Sequence, residues 1–233
     1  MSKKICLALV VIVVLAVALV SVVYFSHSPS NVNSVLTVGV KAGDVFTYQL
    51  VGFVDSYVAG DSIVDFVIPD NVVDINNTKY YRVEITKVEV PIISYILTWE
   101  FKNGTTGGGG ITSMINIENG LYIGYYWDIY ASGLTVGSLS RPGSSEDQTI
   151  ISETKMRSYP NGDREINFLR AEYEAYDVDD QTYTSKCYVL QYVHFDKQIG
   201  IMTDYRTVSD YNLYQVIVTV EYTLVGSNIL QIP

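Results

Sequence analysis

The sequence predicts an all-β fold: a single curled antiparallel sheet, or a half-open barrel, of about eight to eleven strands, preceded by one N-terminal transmembrane helix. Three observations lead there. An uncharged apolar run, Ile5–Phe25, follows a short basic start. Beyond it the chain becomes a succession of short runs in which apolar and polar residues alternate. Between those runs fall Asn76-Asn77, Asn103-Gly104, Asn119-Gly120, Asn161-Gly162 and Asp179-Asp180, residue pairs that tolerate tight turns.

As a helix rising about 1.5 Å per residue, Ile5–Phe25 would span roughly 30 Å, the thickness of a bilayer's hydrocarbon core. The small-x-small triplet Ala16-Val17-Ala18 lies inside the run, and Leu19 to Phe25 stay apolar beyond it. A retained anchor is therefore expected rather than a cleaved signal peptide. Lys3 and Lys4 are the only basic residues before Lys41, which holds positive charge on the cytoplasmic side. The expected organisation is a cytoplasmic tail at 1–4, an anchor at 5–25, a Ser/Asn/Pro-rich stalk at 26–37 and an extracytoplasmic β domain at 38–233. The chain would then be a single-pass membrane protein with most of its mass outside.

Charge narrows the partners. The chain has 15 basic and 25 acidic residues, a net charge of −10. Nucleic acid is excluded as a partner, because phosphate binding relies on an excess of Lys and Arg. Cys6 falls in the anchor and Cys187 in a strand-like run, so no disulfide within one molecule is expected.

Taken in order, the strand-like runs are clear. Phe46, Tyr48 and Leu50 alternate with Thr47 and Gln49. Ile93, Tyr95, Leu97, Trp99 and Phe101 alternate with polar residues, as do Leu169, Ala171, Tyr173 and Ala175, and then Val216, Val218, Val220, Tyr222 and Leu224. Each reads as a strand with one buried and one wet face. Between Tyr81 and Val90 the apolar phase shifts near Lys87, which predicts a bulge. Gly104–Gly110 reads as a mobile loop, since a phosphate-binding loop would end in Lys-Ser/Thr before a helix. The 144–151 region is the one place where a short helix is expected.

No catalytic pattern is present. The two histidines, His27 and His194, have no partners at metal-ligand spacing, and neither Gly-x-Ser-x-Gly nor His-Glu-x-x-His occurs. No catalytic residue, metal or cofactor is expected. The compositional oddity is 20 tyrosines. Read as a strand, Leu121–Tyr130 puts Leu121, Ile123, Tyr125, Trp127 and Ile129 in the core. Tyr122, Tyr126 and Tyr130 then lie on the opposite face beside Gly124 and Asp128. Phenols around a glycine gap offer ring and hydroxyl together, a platform for a sugar or a lipid head group. Asn76-Asn77-Thr78 and Asn103-Gly104-Thr105 are glycosylation sequons at expected turns.

Val38-Gly39-Val40-Lys41-Ala42-Gly43-Asp44-Val45-Phe46-Thr47-Tyr48 resembles the opening of a group of archaeal membrane-anchored, exported β-rich proteins. Lys102-Asn103-Gly104-Thr105, Gly133-Leu134-Thr135-Val136-Gly137, Asp163-Arg164-Glu165-Ile166-Asn167 and Phe195-Asp196-Lys197-Gln198-Ile199-Gly200-Ile201 are similar to pieces of the same group. The Phe-Asp-Lys-x-x-Gly hairpin also resembles one in bacterial lipoprotein carriers, whose curled half-barrel holds lipid in its hollow. This chain departs from that hairpin in having Gln198-Ile199 where a Thr precedes the glycine. The resemblance implies a curled sheet and carries over no catalytic residue. Anchor, stalk and Tyr-rich domain together suggest a non-catalytic binding module for a lipid-like or sugar-bearing ligand. The alternative is a structural component of the cell surface or of a filament.

Overall fold

The computed structural model describes residues 36–56, 70–176, 186–211 and 216–230. The expected tail, anchor and most of the stalk lie outside the described residues. Among the described residues, no helix is long and apolar enough to cross a membrane.

Ten strands form one antiparallel sheet: β1 (Val45–Ser56), β2 (Thr78–Glu89), β3 (Ile92–Phe101), β4 (Thr106–Asn116), β5 (Tyr122–Ile123), β6 (Glu153–Tyr159), β7 (Gly162–Tyr176), β8 (Lys186–Asp196), β9 (Met202–Tyr211) and β10 (Val216–Ser227). A short helix, α1 (Asp70–Asn77), precedes β2. The spatial order is β5-β4-β3-β2-β1-β10-β9-β8-β7-β6. β1 is thus central, one meander runs outward to β5, and a second returns from β6 to close against β1. The ring stays open, with β5 and β6 as its two edges.

Cross-strand register explains the core. Phe46, Tyr48 and Leu50 of β1 share a face with Val83 and Tyr81 of β2 and with Leu224 and Tyr222 of β10. Phe46 and Tyr48 are fully buried there, each contributing on the order of 2 kcal/mol of apolar burial. The phase shift near Lys87 is a bulge: the β2–β3 register slips between Ile85 and Lys87, which returns Val88 to the side of Ile93.

Several local expectations are corrected. Asn76-Asn77 is the last turn of α1, running directly into β2, and no helix forms in 144–151. Thr106–Gly110 belongs to β4, where the Trp99 indole lies over Gly107; a Cβ there would sit 2.3 Å from Trp99 Nε1. Leu36 and Thr37, read as the end of the stalk, pack onto the domain, with Thr37 bridging to Ser132.

Because β5 and β6 are opposite edges, residues 124–152 must traverse the width of the sheet. They do so on its apolar face, as a plug that buries Trp127, Ile129, Tyr130, Ala131 and Ile151 against the inner side chains. A segment of this length without regular structure is uncommon unless it has a function. Its buried backbone needs partners, and the β8–β9 turn supplies them. Tyr130 N donates to Gly200 O at 2.8 Å, and Gly133 N donates to Lys197 O at 2.7 Å. Gly200 has φ +73°, and a Cβ there would stand 2.0 Å from Tyr130 O, so the plug docks only against glycine.

Two sequence fragments that looked separate form one clasp. Arg164 of β7 grips Asp196 at the end of β8 with both Nε and Nη2, while Lys197 pairs with Glu165 at 2.9 Å. Asp196 also accepts from Gln198 N and Ile199 N at 2.9 and 3.0 Å, which shapes the turn that holds the plug. Asp196→Ala removes a fully buried carboxylate and strands Arg164. It is expected to lower unfolding stability by about 3 kcal/mol, read as a shift of the urea midpoint; an unchanged midpoint would show the clasp to be incidental.

Candidate functional site

The plug leaves the sheet edge through Gly124, whose φ is +84° and whose added Cβ would lie 2.6 Å from Ser113 Oγ. Only glycine can turn the chain this close to β4. Ser113 Oγ accepts from Tyr125 N at 2.9 Å, and Tyr95 OH donates to Tyr125 O at 2.5 Å. This pinning aims Trp127 inward, edge-on to Tyr48 at 4.7 Å and 5.8 Å from the Tyr222 ring. The buried Trp127 Nε1 has no acceptor in hydrogen-bond geometry, and its neighbour, the Tyr48 hydroxyl, donates to Met202 O at 2.8 Å.

Next along the plug is Asp128, 4% exposed, facing Arg141 at 2%. Arg141 Nη2 stands 3.4 Å from Asp128 Oδ1, and Nη1 donates to Ile129 O at 2.5 Å. Tyr126 OH and Tyr130 OH both donate to Asp128 Oδ1, the latter at 3.0 Å. The Arg141 guanidinium lies 4.3 Å over the Tyr130 ring, whose ring centroid lies 4.3 Å from that of Phe195, the two stacked. Burial first, and then the Asp128 carboxylate, pushes both phenols well above their ordinary range.

The cluster separates two hollows. An aromatic chamber of about 170 Å³ is lined by Tyr81, Leu97, Trp127, Met202, Tyr205 and Tyr222. A polar cleft of about 330 Å³ is lined by Glu146, Gln148, Thr149, Glu172, Tyr173 and Gln191. Tyr126 and Asp128 border both. The arrangement offers an apolar ring surface, then a carboxylate with two phenols, then a set of acceptors and amides. Neither His194 nor Cys187 lines either hollow.

Of the three tyrosines singled out from the sequence, the structure brings Tyr126 and Tyr130 together on Asp128. Tyr122 sits outside on β5, 54% exposed, its ring 4.9 Å from that of Tyr126. The three do not share a strand face, and Leu121 and Ile123, expected in the core, are exposed. Sequence reading passed over Arg141 and gave Asp128 no role. A signal was there: between Glu118 and Glu146 these two are the only charged residues. Among the described residues, no group of three or more His, Cys, Asp or Glu is placed to hold a metal. The Asp179-Asp180 pair lies outside the described residues.

The sequons differ. Asn76 uses both amide atoms on β1, accepting from Gly52 N and donating to Gly52 O, each at 2.9 Å. Asn103 is at the exposed β3–β4 turn, where its Oδ1 accepts from Thr105 N at 2.9 Å and from Thr105 Oγ1 at 2.7 Å. Comparison with protein families, curated proteins and solved structures found no match for this chain. The class of protein is therefore defined by its own coordinates: an open, ten-stranded antiparallel sheet with an irregular plug on one face.

Two predictions follow from the site. If the chain is exported through a glycosylating pathway, peptide mass spectrometry is expected to find a glycan on Asn103 and a bare Asn76, whose nitrogen is committed to β1. Occupancy at Asn76 alone would contradict this. The second concerns pH. Burial raises the phenol of Tyr222 to about 12, whereas an unfolded chain releases such protons near about pH 10. The stabilisation is complete below about pH 10 and is lost as pH rises toward the folded value. Urea midpoints are expected to fall through that window, and a flat profile would show the inner phenols to be solvated.

Proposed function

We propose that this protein is a membrane-anchored, extracytoplasmic and non-catalytic binding module whose cleft takes an amphiphile with a sugar-bearing head. The observation that carries the reading is the junction at Asp128 and Tyr126, where the aromatic chamber meets the polar cleft. An apolar stem would lie against Trp127 and Tyr222, and hydroxyls would be received by Glu146, Tyr173 and Gln191. The plug fills most of the inner face, and the aromatic chamber, at about 170 Å³, is smaller than the roughly 300–1,000 Å³ of ordinary ligand pockets. That supports a short apolar stem and disfavours a whole lipid carried in the hollow. The apolar Ile5–Phe25 run supports the anchored placement, with the β domain beyond the membrane.

Native mass spectrometry of the full chain with dodecyl maltoside tests the reading. A retained adduct is expected, and the paired variant Tyr173→Ala/Gln191→Ala is expected to reduce it about tenfold while leaving the far-UV spectrum unchanged. An adduct that the paired variant leaves untouched would place the detergent outside the cleft and overturn the proposal.

A further inference from the structure

The opposite face of the sheet carries a further hollow that the cleft does not use. Register aligns Glu153, Phe168, His194, Asp204 and Thr223 in one row across β6 to β10. The next row holds Arg170, Tyr192, Arg206 and Glu221. In a flat sheet β6 and β9 would stand about 14 Å apart, three strand spacings. Arg157 lies further along β6 than Glu153, the residue in Asp204's row. Yet Arg157 Nη1 reaches Asp204 Oδ2 at 2.5 Å. The strands must twist and arch over this face, with Arg157 closing one end of the groove they form.

That groove encloses about 480 Å³, within the roughly 300–1,000 Å³ range of ordinary ligand pockets. Its floor is aromatic: the Phe168 ring lies 4.8 Å from His194 and 6.3 Å from Tyr192, the latter stacked. Its rim is charged and already balanced. Lys155 pairs with Glu153 at 2.8 Å, Arg157 with Asp204 at 2.5 Å, and Arg206 with Glu221 at 3.3 Å. Burial lowers the His194 pKa, so the ring contributes a face rather than a charge near neutrality.

A balanced rim selects against ions. An anion or cation drawn to one member of a pair meets the opposing charge of the other member beside it, so neither sign gains a net attraction. A neutral polyol loses nothing of this kind, because each pair sets a donor beside an acceptor, and a hydroxyl can serve both. The C–H face of a sugar ring matches the apolar face of an aromatic floor. We infer that this groove is a carbohydrate site, taking a neutral oligosaccharide with one ring over Phe168 and its hydroxyls bridging the rim ion pairs. The site lies on the other face from the polar cleft, though Tyr205 and Tyr222 border both the groove and the aromatic chamber, and it does not rest on the reading given for the cleft.

Calorimetric titration of the full chain with maltotetraose, cellotetraose and mannotetraose, beside tetragalacturonate as an anion of similar size, tests the inference. At least one neutral tetrasaccharide is expected to bind, with saturation transfer to its ring protons, and tetragalacturonate is not. Phe168→Leu keeps apolar volume but removes the ring face, and is expected to weaken binding about tenfold. Arg206→Gln, at an exposed position outside the core, is expected to weaken it several-fold and stands in if Phe168→Leu does not fold. Absence of binding by all three neutral sugars, equal binding of tetragalacturonate, or loss of tetrasaccharide binding in Tyr173→Ala/Gln191→Ala would each overturn the assignment.

Discussion

The fold depends on a charge pair set deep between an irregular segment and an open sheet. A single sheet with one apolar face must cover that face, and helices or a second sheet are the usual covers. Here the cover is the plug, whose internal backbone pairing is confined to a short stretch around the Leu139–Ile150 bridge. Asp128 and Arg141 compensate for that lack from within. One carboxylate oxygen gathers two phenols and a guanidinium, and the guanidinium in turn takes the Ile129 carbonyl. Removing either charge would leave the other uncompensated in a site with little access to water.

The same cluster shapes the cleft. Because Tyr126 and Tyr130 spend their hydroxyls on Asp128, their rings are fixed in orientation, and the surface they offer is pre-organised. The turn between β8 and β9 carries the load from the other side. Asp196, gripped by Arg164, sets that turn, and Gly200 at its end receives the plug's backbone. A signature that looked like a hairpin motif is thus the docking point of the segment that builds the site. The opposite face is organised by the arch of β6 over β9, which gathers aromatics below and balanced charges above.

Much of the architecture was legible in the chain. Alternation in β1, β3, β7 and β10 marked strands because each has a ladder partner on both sides and one buried face. The slip at Lys87 was visible because a bulge moves every later side chain to the other face. Leu121–Tyr130 misled for the converse reason. It alternates as a strand does, but only Tyr122 and Ile123 pair as a strand, on Met114 and Ile115, and Ile129 makes a single bridge to Ile201. Beyond Gly124 no continuous ladder forms, and consecutive residues Trp127 to Tyr130 are all buried. Gly104–Gly110 misled in the opposite direction: it reads as a loop, yet Gly107 and Gly108 pair with β3, where the Trp99 ring takes the space their missing side chains leave. The site itself was half visible. Its tyrosines stood out by number, whereas Arg141 lies beyond several turns and became a partner of Asp128 only through the plug's path.

By itself the sequence determined the period of the strands, the turns at Asn103-Gly104, Asn119-Gly120 and Asn161-Gly162 and the excess of acidic charge, since these are properties of neighbouring residues. Only the tertiary structure decided that the sheet stays open, that a loop rather than a helix covers it, and that Asp128 meets Arg141. Those outcomes depend on contacts between distant residues, and a long connection can take many paths whose local preferences are alike. Burial, summed over the whole inner face, selects among them.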